Sequence, residues 1–296
     1  MSNLQPPAHS EEIKVDFPAP HVLLLTFNRP KSLNAMTPQM TDSLKRLLDW
    51  FEKEPELWCV PSSLVVIVTG QGRLFCAGAD LLQWNKNQQS GNSNEEEDIV
   101  GNEHGFGSIS RRASTKPIIA AVVGGAYGGG VEMILNCDLV VASEDAKFAL
   151  PEVKRGVVAI QGGQSFKKII IVKRRLASEM LLLGRTITAV EARDRFGFVN
   201  TLVPARRVLP AALDMAKQII NNSPDAVQST KLGLILTQKH NVFDTVSIHA
   251  SSPESKRVYG GQNIKEGLKA FAEVCEPRVF TITVIVGIIT IHYYLL

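Results

Sequence analysis

Apolar residues along the chain follow two rhythms. Short unbroken runs dominate the first half: Val22-Leu23-Leu24-Leu25-Thr26-Phe27, then residues 64–69, 118–123 and 139–142. Runs of this length, bounded by turn residues, read as strands buried on both faces. The first, over residues 21–28, is stopped by Arg29-Pro30, because the residue before proline is pushed out of the helical region. Gly70 and Gly72 close the second. Between them Met40, Leu44, Leu47, Leu48 and Phe51 recur at helical spacing. Thr37-Pro38 opens that helix, with Thr37 as N-cap and Pro38 at the first helical position. Residues 131–136 begin a helix and residues 146–150 form a further short strand ended by Pro151. From residue 178 to 273 the pattern is mainly helical, interrupted near Pro204, Pro210, Pro224 and Pro253. The chain therefore reads as α/β first and α later, with no internal repeat and no clear interdomain linker.

Three stretches break the rhythm. Residues 83–108, rich in Asn, Gln, Ser, Gly and Glu, read as a long mobile loop with room for a short helix. Residues 1–20 are polar and Pro-bearing and read as a flexible N-terminal segment, resembling neither a signal peptide nor an Arg-rich presequence. Residues 279–296 contain no Lys, Arg, Asp or Glu and just reach the length of a membrane span. A buried strand pair and a tail foreign to the fold are the other readings of that segment, and membrane contact is not the favoured one.

Composition narrows the function classes. The 296 residues, 45% apolar and 21% charged, suffice for one large domain with a sizeable core. A net charge of +3 argues against a dedicated nucleic-acid binder and leaves room for local basic patches that meet an anionic ligand. The cysteines Cys59, Cys76, Cys137 and Cys275 show no Cys-x-x-Cys spacing and no His at ligand distance. No metal site is expected, and buried reduced thiols are the default.

Two segments place small residues where strands meet turns: Phe75-Cys76-Ala77-Gly78-Ala79-Asp80-Leu81 and Gly124-Gly125-Ala126-Tyr127-Gly128-Gly129-Gly130-Val131-Glu132. Either alone reads equally as a tight turn built for close packing. They contain no dinucleotide fingerprint and no P-loop, and the chain has no Gly-x-Ser-x-Gly elbow. Two backbone N–H groups from separate turns, aimed at one point, would make an oxyanion hole. Glu132 falls one helical turn after Gly129, so its side chain can turn back to the same place. Glu152 follows Pro151 at a strand end. Each glutamate alone reads as well as a surface carboxylate or a helix-start charge.

In order along the chain stand Asn28-Arg29-Pro30-Lys31-Ser32-Leu33-Asn34-Ala35, Ala77-Gly78-Ala79-Asp80-Leu81, Gly128-Gly129-Gly130-Val131-Glu132, Cys137-Asp138, Phe148-Ala149-Leu150-Pro151-Glu152 and Gly162-Gly163. Leu183-Gly184-Arg185, Ala189, Glu191-Ala192, Gly197, Val199 and Asn200 follow. This series, from about residue 22 to 271, resembles the crotonase (enoyl-CoA hydratase/isomerase) superfamily. The resemblance implies an α/β crotonase-like (ClpP/crotonase) spiral of ββα units over residues 21–203, carrying the acyl-CoA site. A helical trimerisation region over 204–278 and the apolar tail over 279–296 would complete the chain. It implies catalysis by Glu132 and Glu152, with Glu132 activating water and Glu152 donating a proton. The backbone N–H groups of Ala79 and Gly129 would form the oxyanion hole, and Lys31, Ser32, Leu33, Ala77, Gly78, Asp80 and Leu81 would contact acyl-CoA. No cofactor is implied, coenzyme A being part of the substrate. The implied assembly is a homotrimer or a dimer of trimers.

The activity so implied is hydration of a trans-2-enoyl-CoA, in fatty-acid β-oxidation or in acyl-chain biosynthesis. The N-terminal half is also similar to hydratases of fungal host-selective toxin clusters. Isomerisation by Glu152 alone, and a non-catalytic membrane-tethered or assembly role, are the alternatives. Three departures from the family pattern stand out. Ala159-Ile160 occupies the place of a Pro-Gly pair, and Leu82-Gln83 the place of a basic residue. After Glu266-Gly267-Leu268-Lys269-Ala270-Phe271 the chain diverges and ends Tyr294-Leu295-Leu296. Relatives suggest the peroxisome, but that tripeptide is not a peroxisomal address.

Overall fold

The unbroken apolar runs become the middle of a sheet. The computed structural model describes residues 5–53, 65–91, 99–162 and 175–273. The readings at Cys59, Gly163, Cys275 and residues 279–296 lie outside these. The first half of the described chain contains β1 (Ile13–Ala19), β2 (Val22–Phe27), α1 (Pro38–Lys53), β3 (Val65–Gly70), α2 (Leu81–Gln89), β4 (Ile118–Val122), β5 (Gly125–Tyr127) and α3 (Gly129–Asn136). Then come β6 (Leu139–Ser143), β7 (Lys147–Ala149), β8 (Ile187–Thr188), α4 (Ala189–Asp194) and β9 (Thr201–Val203). Five helices end it: α5 (Val208–Ile220), α6 (Pro224–Lys239), α7 (Val242–Ser251), α8 (Pro253–Gly260) and α9 (Gln262–Glu273).

The large sheet runs β1-β2-β3-β4-β6-β9, parallel throughout except for the antiparallel edge pair β1–β2. Strands β2, β3, β4 and β6 are covered on both faces, which is why they need no polar alternation. Leu23, Leu25, Val66, Val68, Ala120 and Val122 join Met40, Leu44, Leu47 and Phe51 of α1 in one core. Val22, Leu24, Val65, Ile67, Ile119 and Ala121 meet Val208, Ala212 and Ala216 of α5 in the other. Thr37 caps α1 as its sequence position predicts, its hydroxyl accepting from the Met40 N–H at 3.1 Å.

A second layer grows from short pieces. Met36 bridges Ala79, Cys76 bridges Ala126, and β5 pairs in parallel with β7, which pairs with β8. Each of β2, β3 and β4 is thus followed by a residue or short strand in the second layer and then by a helix. This is the repeated ββα winding expected from the sequence.

The structure differs from the sequence reading in four places. Residues 13–19 of the expected flexible segment form β1, because Ile13 and Val15 alternate onto the core beside β2. Residues 81–89, partly inside the expected mobile loop, form α2, since the Asp80 carboxylate accepts from the Gln83 N–H and caps a helix there. The glycine-rich turn contains β5, a strand whose glycine has no side chain to separate it from its neighbour: a Cβ on Gly125 would sit 1.9 Å from the Lys147 carbonyl oxygen. The helical half also contains β8 and β9, too short to show as apolar runs. Cys76 and Cys137 are buried free thiols as expected. Among the described residues no helix is long and apolar enough to cross a membrane.

Candidate active site

The two small-residue turns pack against each other. Gly78, at φ +94°, lies where a Cβ would come within 2.9 Å of the Tyr127 carbonyl oxygen and 3.7 Å of the Gly128 Cα. The Cys76–Ala126 bridge and a 3.0 Å hydrogen bond from the Tyr127 N–H to the Cys76 carbonyl hold them in register. The Met36 N–H donates to the Gly78 carbonyl and the Asp80 N–H donates to the Met36 carbonyl, so Ala79 between them turns its own N–H to the opposite side. Gly129 begins α3, where the first N–H groups have no carbonyl in the helix to meet. The Phe106 ring lies flat over it: a Cβ on Gly129 would be 2.4 Å from that ring.

Glu132 and Glu152 come together at this point. Glu132 sits in the first turn of α3 and is 3% exposed. Its Oε1 accepts a short hydrogen bond from the Gly162 N–H. Glu152 starts the 3-10 turn Glu152–Arg155 after β7, and the Gly128 N–H donates to the Ala149 carbonyl at 2.9 Å, binding that strand end to the start of α3. A Cβ on Gly128 would lie 3.0 Å from Glu152 Oε1, so the carboxylate rests against bare backbone. Glu152 Oε2 is enclosed and without a hydrogen-bond partner. Burial, helped by repulsion from Glu152, pushes the Glu132 carboxyl up to about 7, against the Gly162 N–H and the Arg111 guanidinium, which favour its charged form. Burial also raises Glu152. Two carboxyls that repel each other titrate as a pair.

The residues expected to contact acyl-CoA lie on two turns. Lys31 and Ser32 are exposed on the 3-10 turn Pro30–Ser32, and Leu33 follows in the left-handed region at φ +53°. Ala77, Gly78 and Leu81 flank Ala79. Asp80 is engaged within the protein: besides capping α2, it takes a 3.0 Å ion pair from Arg29, whose Nε meets Glu12 at 2.9 Å. Sequence reasoning missed Arg29 and Glu12 as braces, Phe106 as the cover of Gly129, and Gly162 as the donor to Glu132. Arg29 and Gly162 stood in quoted motifs without these roles; Glu12 and Phe106 had no local signal, because they act across long sequence separations. A cavity of about 310 Å³ among α6, α7 and α8, lined by Ser229, His249 and Tyr259, involves none of these residues.

Comparison with known proteins places the chain in a family. Residues 19–280 match the family described as enoyl-CoA hydratase/isomerase. The chain is 42% identical to the mevalonyl-coenzyme A hydratase SIDH of Beauveria bassiana, over 92% of this chain and 96% of that protein. It is 39% identical to the mevalonyl-coenzyme A hydratase of Aspergillus fumigatus, over 89% and 93%. Among solved structures, an enoyl-CoA hydratase from Mycobacterium tuberculosis H37Rv superposes with a TM-score of 0.78 at 32% identity, covering 91% of this chain and 99% of that one. The fold is that of the crotonases, and the chain belongs to the enoyl-CoA hydratase/isomerase family.

Proposed function

We propose that this protein is an enoyl-CoA hydratase, a lyase that adds water reversibly across the 2,3 double bond of an acyl-CoA. The observation that carries this is the convergence of the buried Glu132 carboxyl and the half-buried Glu152 carboxyl beside the paired turns of Ala79 and Gly129. Water held between the carboxyls loses a proton to Glu132 as its oxygen attacks C3. Charge flows into the thioester carbonyl, where the N–H groups of Ala79 and Gly129 receive it; a fixed donor of this kind is worth about 3–4 kcal/mol. Glu152 gives a proton to C2. The hydrogen-bond partners support this division of roles. The Gly162 N–H favours an anion on Glu132, while the unpartnered Oε2 of Glu152 suits a neutral carboxyl that donates. No cofactor is required, since coenzyme A supplies the activating thioester.

Lys31, Ser32 and Leu33 on one turn, and Ala77, Gly78, Asp80 and Leu81 on the other, would line the path of the acyl-CoA. Asp80 acts there through its backbone, its carboxylate being bound to Arg29. The names of the two fungal relatives point to a branched acyl group: mevalonyl-CoA carries hydroxyls on C3 and C5, and loss of the C3 hydroxyl as water gives a 2-enoyl-CoA. We also place the chain in a trimer or a dimer of trimers. Phe243 and Val246 of α7 and Phe271 of α9 present apolar side chains outward, with Phe243 86% and Phe271 84% exposed, more than an isolated chain gains from.

The test is turnover of 2-enoyl-CoA thioesters by the purified chain, with mevalonyl-CoA as the reverse substrate. Glu132→Gln and Glu152→Gln should each lower kcat by about 100-fold or more. Absence of hydration and dehydration on every thioester would refute the assignment. Isomerisation of a 3-enoyl-CoA that survives Glu132→Gln would show that Glu152 alone also moves a proton between carbons.

A further inference from the structure

We propose that Ser110 is a positioning residue for the Glu132 carboxylate, acting through the one peptide unit that joins Gln161 to Gly162. The inference rests on the reading of Glu132 as the group that takes the proton from water. Ser110 is fully buried, and its hydroxyl donates to the Gln161 carbonyl at 2.9 Å. The N–H of the same peptide, that of Gly162, donates to Glu132 Oε1. A trans peptide carries its carbonyl and its N–H on opposite edges of one rigid plane. Holding the carbonyl at one edge therefore aims the N–H at the other. Were the plane to turn over, a carbonyl oxygen would face the carboxylate and Glu132 would lose its donor. Two hydrogen bonds in series through one peptide also polarise each other and strengthen the donor.

The surroundings are built for this contact. Gly105 lies where a Cβ would be 2.4 Å from the Ser110 hydroxyl oxygen and 2.6 Å from the Gln161 carbonyl oxygen. A Cβ on Gly162 would be 2.7 Å from the Glu132 Cβ. Glycine at both places allows the segments around Ser110 and Gln161 to close on each other over the carboxylate. The Ser110 side is braced: the Asn102 side-chain amide donates to the Gly105 carbonyl at 2.8 Å, and the Arg111 guanidinium donates to the Ile99 carbonyl at 2.8 Å. The Gln161 side has Ala159-Ile160 before it and no proline ring to fix φ, so the hydrogen bond from Ser110 supplies orientation that the backbone lacks. The charges that bear on Glu132 are the Glu152 carboxylate and the Arg111 guanidinium. Ser110 is neutral, and removing its hydroxyl leaves both charges in place.

The experiment compares the full chain with Ser110→Ala, Glu132→Gln and the double variant, by kcat, KM, the pH profile of kcat/KM and the denaturation midpoint. Ser110→Ala should lower kcat about 10-fold with KM within about twofold, and move the acid limb of kcat/KM up by about half a pH unit, as loss of a donor to the charged form requires. In the Glu132→Gln background the same substitution should change residual turnover by less than about twofold. Ser110→Thr, which keeps the hydroxyl, should restore the acid limb. If Ser110→Ala does not fold, Ser110→Cys replaces it, keeping the size and weakening the donor. An unmoved acid limb with unchanged kcat, or an equal loss in both backgrounds, overturns the role of Ser110. Full turnover by Glu132→Gln overturns the reading of Glu132 itself, and with it this one.

Discussion

The proposed role of Gly129 asks little of the residue. It offers only an N–H and the lack of a side chain, and the Phe106 ring occupies the place a Cβ would take. Gly129→Ala must displace the ring or twist the peptide that bears the N–H. We expect it to lower kcat by about 100-fold, the effect of losing one preorganised donor, with a smaller change in KM; steady-state kinetics on a 2-enoyl-CoA check this. Glu132 carries a different signature. Its carboxyl lies near 7 in the folded chain, above the 4.5 of an unperturbed group. The folded state therefore binds the proton more tightly, and stability falls as pH rises from about 4.5 through about 7. Glu132→Gln should stabilise the chain at pH 8 by about 1–3 kcal/mol relative to its effect at pH 4, read from denaturant midpoints at the two pH values. Both glutamates were legible in the sequence because motifs surround them. The donor at Gly162 and the hydroxyl at Ser110 were not, since a buried serine and a loop glycine give no sign of the partner they meet.

Among the elements, α6 is joined to the sheet by a charged contact. Lys231 reaches in from α6, and its ammonium donates to the Asp138 carboxylate at 2.7 Å and to the Lys116 carbonyl at 2.6 Å. Asp138 at the same time accepts from the Ile118 N–H at 2.8 Å, at the start of β4. Removing the carboxylate alone strands a buried ammonium. Asp138→Ala should cost about 3 kcal/mol, while Lys231→Met should cost less, because it removes the cation and keeps the stem packed. Thermal unfolding of the two variants separates these. The strands of the large sheet, α1 and its Thr37 cap were readable from periodicity and capping residues. The edge strand β1 was hidden because Pro18 and a polar neighbourhood mask the alternation of Ile13 and Val15. The second layer was hidden because its strands are shorter than any pattern window and exist only through their partners.

At the level of the whole molecule, the helical half leaves its apolar side chains turned outward on α6, α7 and α9, among them Leu234, Phe243 and Phe271. Light scattering should give a mass three or six times that of the 32.4 kDa chain. Phe243→Lys should shift the distribution towards smaller species without altering the fold seen by circular dichroism. A monomeric wild type would refute the trimer. The order of α/β before α was legible in the sequence, and so was the family, because its motifs recur in order along the chain. Which helical residues face outward was not, since an outward apolar residue has the same local pattern as an inward one.

Successive turns of the winding are tied by the Cys76–Ala126 bridge, and the two proposed charge-receiving N–H groups stand three residues beyond each bridge partner. Their placement is therefore anchored to a pairing between neighbouring strands, whose spacing backbone hydrogen bonding holds near 4.8 Å in every sheet. Loops before and after can lengthen, shorten or change composition without detuning that interval. Changes confined to the outlying loops then leave in place the point where thioester charge would be received.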